Sequence, residues 1–162
     1  MNKPQLKNIQ IRDVKFGKGV VIIQPVNLYE CIIGNNCFIG PFVEIQKDVR
    51  IGNNCKIQSH AFICELVNIG NNCFISHGVM FINDTFSKGR PAGGDRNLWK
   101  STSVGNNVSI GTNATILPVK IVDNVVIGAG SVVTKDILEP GIYAGNPVKK
   151  IRDILQLTKT NK

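Results

Sequence analysis

The sequence predicts an all-β solenoid of triangular coils, and three observations predict it. First, Ile33-Gly34-Asn35-Asn36-Cys37, Ile51-Gly52-Asn53-Asn54-Cys55 and Ile69-Gly70-Asn71-Asn72-Cys73 recur every eighteen residues, with a weaker copy at Val104-Gly105-Asn106-Asn107-Val108. Second, each eighteen divides into three sixes that begin on an apolar residue. Third, Gly and Asn gather just after those starts, where a sharp corner needs unusual φ and ψ. An internal period of this size is the mark of a stacked repeat architecture.

The hexad starts are Phe16, Ile22, Leu28, Ile33, Ile39, Ile45, Ile51, Ile57, Ile63, Ile69, Ile75 and Phe81, then Val104, Ile110, Ile116, Ile121, Ile127 and Val133. All eighteen slots are apolar, where a chain of 43% hydrophobic residues would fill about eight by chance. Four places further on stand Val20, Val26, Cys37, Val43, Val49, Cys55, Ala61, Val67, Cys73 and Val79. That position is two before the next start, so both side chains point inward from a strand. Each hexad is thus a short strand plus a corner, and three hexads close one coil.

Two steps are five residues long, Leu28 to Ile33 and Ile116 to Ile121, and both fall at the same corner. One step is far longer. Between Phe81 and Val104 the chain leaves the solenoid, with residues 87–103 inserted and a loop of about 84–103 extruded. The pattern ends at Glu139-Pro140-Gly141. Asn146 then reads as an N-cap and Pro147 as a first helical residue, with Val148, Ile151 and Leu155 at helical spacing. A short C-terminal helix is therefore expected to cap the last coil, whose open edge would otherwise be sticky.

At 162 residues the chain reads as one domain, 1–162, divided into a solenoid at 16–136, the inserted loop and a cap with a basic tail at 137–162. Met1 to Asn8 is polar, and no apolar run reaches membrane-spanning length, so a cytoplasmic protein with no membrane partner is expected. Five cysteines without a Cys-x-x-Cys pair argue for small buried hydrophobes rather than a zinc site. The net charge is +8, with Lys149, Lys150, Arg152, Lys159 and Lys162 near the C-terminus. Such a surface attracts polyanions. Nucleic acid would bring aromatic interleaving or a binding motif, and neither is present; phosphorylated small molecules fit the surface equally well, as does a solvated tail that keeps the protein soluble.

The hexads over Phe16 to about Asp136 resemble the hexapeptide-repeat acyltransferases. That resemblance implies a left-handed parallel β-helix of about six coils. The handedness comes from the resemblance alone, because crossovers between parallel strands are otherwise right-handed. The stretch Ile127-Gly128-Ala129-Gly130-Ser131-Val132-Val133-Thr134-Lys135-Asp136, followed by Tyr143-Ala144-Gly145-Asn146-Pro147, looks like the acetyl-CoA-binding end of those enzymes. The resemblance implies a homotrimer, with pantetheine lying between two subunits against Gly111, Ala129, Thr134, Asn146 and Pro147, and with Lys135, Lys149 and Lys150 meeting its phosphates. No metal is implied. Two histidines fall short of the three that a solenoid zinc site would need.

Within the family, Ile57-Gln58-Ser59-His60, Val79-Met80-Phe81-Ile82-Asn83-Asp84 and Ile110-Gly111-Thr112-Asn113-Ala114-Thr115-Ile116-Leu117-Pro118 are similar to sugar-nucleotide N-acetyltransferases. The nearest in pattern acetylate the 3-amino group of dTDP-3-amino-3,6-dideoxyhexoses for surface polysaccharide. The resemblance implies that Asn83 binds the amine and Asp84 holds or polarises it. Close relatives acting on UDP-sugars often carry asparagine where His60 stands, and the glycine that usually follows Leu117-Pro118 is replaced by Val119. His60 or His77 is a candidate base, since histidine titrates near neutrality. They start on neighbouring coils, about 5 Å apart. A mechanism without a protein base, in which positioning alone supplies the rate, stays open. Gln58 and the loop residues Arg90, Trp99 and Lys100 are the expected substrate contacts, since loops this long usually carry function. O-acetylation of a sugar or serine, and a non-enzymatic binding scaffold, remain as alternatives.

Overall fold

Strands mostly of two or three residues stack into three sheets, parallel except for a C-terminal hairpin, in the computed structural model, which describes residues 10–154. Sheet A has seven strands, at Ile11–Arg12, Asn27–Tyr29, Glu44–Ile45, Phe62–Ile63, Met80–Phe81, Thr115–Ile116 and Val132–Val133. Sheet B has six, from Lys15–Phe16 to Lys120–Ile121. Sheet C has eight, from Val21–Ile22 to the hairpin Gly141–Gly145 and Val148–Arg152. The chain visits A, B and C in turn, so every coil has an A–B, a B–C and a C–A corner. Hexad starts pair with hexad starts: Ile33 with Ile51, Ile51 with Ile69, Ile57 with Ile75, and Ile75 with Ile110 across the loop.

Two inward positions per hexad fill the interior. Ile39, Ile45, Ile57, Ile63, Ile75, Ile110 and Ile116 are wholly buried, as are Val43, Val49, Cys55, Val79 and Ala114 from the second position. Trimming one such isoleucine to alanine costs about 2–5 kcal/mol, because neighbouring coils cannot collapse into the gap. Phe16 and Ile22, at the open first coils, are only partly covered.

The corners explain the punctuation in the sequence. The third residue after a start takes a left-handed φ of 55–62° at Asn36, Phe42, Asp48, Asn54, His60, Asn72, Asn107, Asn113 and Asn124. Asparagine tolerates that region better than most residues do. At Gly34, Gly52, Gly70 and Gly105 the coils approach so closely that a Cβ on Gly52 would lie 2.7 Å from the Gly70 carbonyl. The next residue forms a ladder. Asn53 Oδ1 accepts from the Asn35 N–H at 2.7 Å, Asn71 Oδ1 from Asn53 at 2.8 Å, Asn106 Oδ1 from Asn71 at 2.8 Å, and Asp123 Oδ1 from Asn106 at 2.8 Å. A thiol ladder lies inside it: Cys37, Cys55 and Cys73 each donate to the glycine carbonyl of the following coil at 3.1 Å.

Three expectations are corrected. No α-helix occurs among the described residues. The C-terminus is an antiparallel hairpin in which Gly141–Gly145 extends sheet C beside Val125–Ile127 and Val148–Arg152 pairs back onto it. The open sheet edge offers these residues backbone partners, and Ile151 is 61% exposed, so the helical spacing had no apolar face to bury; Leu155 lies outside the described residues. The solenoid has seven coils rather than six, because Ile11–Arg12 forms a first strand against Leu28–Tyr29. The loop ends earlier than expected, since Thr102 and Ser103 already pair with Val67 and Asn68, which leaves 82–101 outside the sheets.

The Asn ladder is directional and ends on Asp123, whose second oxygen accepts from Asn106 Nδ2 at 3.1 Å. These bonds hold the Asp123 carboxyl below its ordinary 3.8. A depressed carboxyl stabilises the fold above its unfolded pKa, and that contribution is lost as pH falls through the folded value. Below about pH 4, stability should therefore decline less steeply in Asp123→Asn than in the unaltered chain, as read by urea unfolding from pH 5 to pH 2. Parallel declines would remove the carboxylate from this role.

Candidate functional site at two corners of the coil

The expected site residues divide between two corners. The C–A corner carries Gln58, Ser59 and His60 on one coil, Ser76, His77 and Gly78 on the next, Gly111, Thr112 and Asn113 on the third, and Gly128, Ala129 and Gly130 on the fourth. Backbone bonds fix this register: Gly78 N–H donates to Ser59 O at 3.0 Å, Asn113 N–H to His77 O at 2.9 Å, and Gly130 N–H to Thr112 O at 2.8 Å. His77 is thus in line with Ser59, not with His60, which aligns with Gly78. The two histidines share a corner on neighbouring coils but are offset by one residue.

That offset gives them different surroundings. His77 Nδ1 lies 2.8 Å from Ser59 Oγ. When Nδ1–H donates to Ser59, Nε2 keeps a lone pair for a proton. His60 stacks on Phe42 from the preceding coil, with ring centroids 4.8 Å apart and planes 16° off parallel. Between His77 and the C-terminal coils, Ser76 Oγ and Thr112 Oγ1 meet at 2.8 Å. Ser59 and Thr112 stood in motifs without a role of their own, and Phe42 escaped the sequence reading. The signal for Ser59 and Phe42 was the eighteen-residue offset, which aligns 42 with 60 and 59 with 77; the inserted loop hides that offset for Thr112.

Gly111 and Ala129 line the same corner as neighbours. A Cβ on Gly111 would lie 2.5 Å from Ala129 N, so the two coils touch there and only glycine fits. The hairpin brings its turn to this corner as well: Gly145 N–H donates to Ser131 Oγ at 3.2 Å, and Asn146 and Pro147 follow directly. Thr134 and Lys135 lie elsewhere, at the A–B corner after Val132–Val133. Lys149 and Lys150 lie on the outer strand of the hairpin. Lys150 is committed to Glu139 at 3.2 Å and Asp153 at 2.8 Å, which push its ammonium up to about 12.

Asn83 and Asp84 also lie at the A–B corner, at the root of the loop. The sheet A strand lies between them and His77, six and seven residues away along the chain, at most roughly 20–23 Å if fully extended. The four expected catalytic residues therefore do not converge within one chain. Asn83 Nδ2 donates to Glu65 O at 3.3 Å, and Asn83 O accepts from Lys100 N–H at 3.0 Å, closing the neck of the loop. Asp84 organises the loop interior: Oδ1 accepts from Phe86 N–H at 2.9 Å and Oδ2 from Ala92 N–H at 2.7 Å. Trp99 is half-buried, and Arg90 and Lys100 are exposed.

Arg96 straps the loop to its own solenoid. It donates to Asp48 Oδ2 at 2.7 Å and stands 2.9 Å from Glu65 Oε2, close enough for attraction but not aligned as a hydrogen bond. Both carboxylates belong to coils before the loop. Removing the strap should leave the loop held only at its neck. Arg96→Ala is expected to be cut faster by trypsin after Lys88 while the solenoid stays intact, as followed by mass spectrometry. Unchanged cleavage would mean that Asp84 and the neck suffice.

Comparisons with known proteins follow this geometry. Residues 30–65 match the family described as bacterial transferase hexapeptide (six repeats), and residues 101–135 match the hexapeptide repeat of succinyl-transferase. Among curated proteins, galactoside O-acetyltransferase of Escherichia coli is 55% identical over 53 residues, covering 32% of this chain and 26% of that enzyme. The chain thus matches about a quarter of that relative's length. Among solved structures, a variant of AntD, an N-acyltransferase from Bacillus cereus in complex with dTDP and coenzyme A, superposes with a TM-score of 0.76 at 27% identity, covering 88% of this chain and 85% of that one. A maltose O-acetyltransferase from Clostridium difficile gives 0.55 at 27% identity, with 88% and 70% covered. The repeat matches and this shared architecture make the chain similar to the hexapeptide-repeat acyltransferases, with the left-handed parallel β-helix of that fold.

Proposed function

We propose that this protein is an acetyl-CoA-dependent N-acetyltransferase acting on the 3-amino group of a dTDP-linked 3-amino-3,6-dideoxyhexose, for O-antigen or another surface polysaccharide. It works in the cytoplasm as a homotrimer with its sites between subunits. The observation that carries this reading is the likeness to AntD over nearly the whole chain, in a complex that holds both dTDP and coenzyme A. The exposed corner supports it. His77 and Thr112 stand on the coils beside Gly111 and Ala129, whose small side chains leave that part of the corner without bulk.

In the reaction the amine nitrogen attacks the thioester carbonyl carbon. A C–N bond forms, the C–S bond breaks, and coenzyme A leaves as thiolate. The proton lost by nitrogen goes to His77 Nε2, with Nδ1–H held by Ser59, and then to the thiolate sulfur. Asn83 orients the amine through its side-chain oxygen, since its Nδ2 is already given to Glu65 O. Asp84 shapes the loop wall behind it. Because Asn83 and His77 lie a full strand apart in one chain, a site that uses both takes them from two subunits. Phosphates of coenzyme A meet Lys135 and Lys149; Lys150 is the poorer candidate because two carboxylates already neutralise it.

O-acetylation is the second reading, favoured by the 55% identity to galactoside O-acetyltransferase. It asks more of His77, since a hydroxyl must be deprotonated as it attacks.

Thiol release from acetyl-CoA against a panel of amino and hydroxyl sugars, free and nucleotide-linked, separates these readings. Release specific to a dTDP-linked 3-amino sugar is expected. Release only with hydroxyl acceptors would move the assignment to O-acetylation, and silence throughout would leave a binding scaffold. His77→Ala and Asn83→Ala should each lose roughly a hundred-fold or more in kcat with the assembly intact. Refolding the two inactive variants together should restore part of the activity, because some mixed sites then carry both residues. No recovery would overturn the shared site.

A further inference from the structure

Two aromatic rings sit at the left-handed position of the C–A corner, where the later coils carry glycine or asparagine. Along the C–A column the left-handed residue is Phe42, then His60, then Gly78, Asn113 and Gly130. A phenylalanine at φ 61° is uncommon, and this one is 56% exposed, so burial does not repay the strain. His60 stacks on one face of the ring. On the side of the preceding coil, Phe42 borders a recess of about 150 Å³ shared with Pro25, Asn27 and Glu44. Phe42 N–H donates to Pro25 O at 2.6 Å, which fixes the ring beside that coil. Glu44 is steadied by Gln46, whose Nε2 donates to Oε1 at 2.7 Å.

We infer that Phe42, backed by His60, is the stacking platform for the nucleobase of the nucleotide-linked acceptor, with Asn27 reading an edge of the base. This rests on the transferase reading above and assigns its acceptor end. A planar base on an aromatic face gains stacking energy, and Phe42 presents such a face already held in place by a second ring. Asn27 has both a donor and an acceptor, which matches the alternating carbonyl and N–H edge of a pyrimidine. Spacing agrees with this role. Phe42 lies two coils from Gly78 and His77, about 10 Å along the axis, a distance that a ribose and diphosphate can span before the sugar is reached. The adenine of coenzyme A is the competing base. Its candidate contacts, Ala129, Asn146 and Pro147, lie at the opposite end, since Phe42 and Gly130 are four coils or about 19 Å apart.

Titration calorimetry with dTDP, and separately with coenzyme A, tests the platform without requiring turnover. The proteins are the unaltered chain, Phe42→Ala and Phe42→Tyr, with mass in solution measured for each to show that assembly is kept. The expected result is a dTDP affinity at least ten-fold weaker in Phe42→Ala, largely retained in Phe42→Tyr, with coenzyme A binding unchanged in both. Equal dTDP affinity in the unaltered chain and Phe42→Ala overturns the platform and leaves acetyl transfer standing. A loss confined to coenzyme A overturns it too and gives the ring to the other substrate. If dTDP binding depends on Phe42 but no acetyl transfer is found, the nucleotide platform holds and the transfer reading fails.

Discussion

Everything in this molecule depends on the registered stacking of one coil on the next. Backbone N–H and C=O groups at each level find their partners one coil away, and no other arrangement would satisfy so many short strands. That register is stiff because a slip by one residue would turn every inward isoleucine outward. It also dictates composition. Where two coils nearly touch, only glycine fits, and where the chain turns left-handed, asparagine recurs. The ladders of Asn35, Asn53, Asn71, Asn106 and Asp123 are a consequence of this stacking, since equal positions on successive coils must face one another.

The same constraint generates the candidate site. A corner residue is never alone, because it belongs to a column that runs along the solenoid axis. Chemistry on such a scaffold is written as a sequence of side chains down one column: Phe42, His60 and Gly78 in one, Ser59, His77, Thr112 and Ala129 in the next. Small changes of residue along a column divide it into an aromatic end, a polar middle and a bare end. Under the proposed function, that order would set a nucleotide, a reacting group and a thioester arm in succession.

The loop is anchored by charge and by backbone capture rather than by a core. Asp84 takes two N–H groups, and Arg96 reaches Asp48 and Glu65. Exposed pairs of this kind contribute little to stability and weaken with salt. Their effect here is geometric, in holding the wall of the A–B corner against the coils that precede it. The hairpin at the C-terminus is pinned in a comparable way, with Lys150 between Glu139 and Asp153. Lys150 is thus paired locally and is less free to attract phosphates.

The sequence by itself determined the solenoid, its inward positions, its corners and the place of the long insertion, because each depends on a local period that stacking merely repeats. Ile33 or Ile57 could be assigned to the core from spacing alone. The tertiary structure decided what the period could not carry. Asn146 and Pro147 looked like a helix start, but the open edge beside Val125–Ile127 captured the segment as a strand. His60, His77, Asn83 and Asp84 looked like one site, but a full strand separates the two corners, so side chains close in sequence lie far apart in space. Partners such as Ser59 for His77 and Phe42 for His60 are set by contacts eighteen residues away, and only the registered coils bring those together.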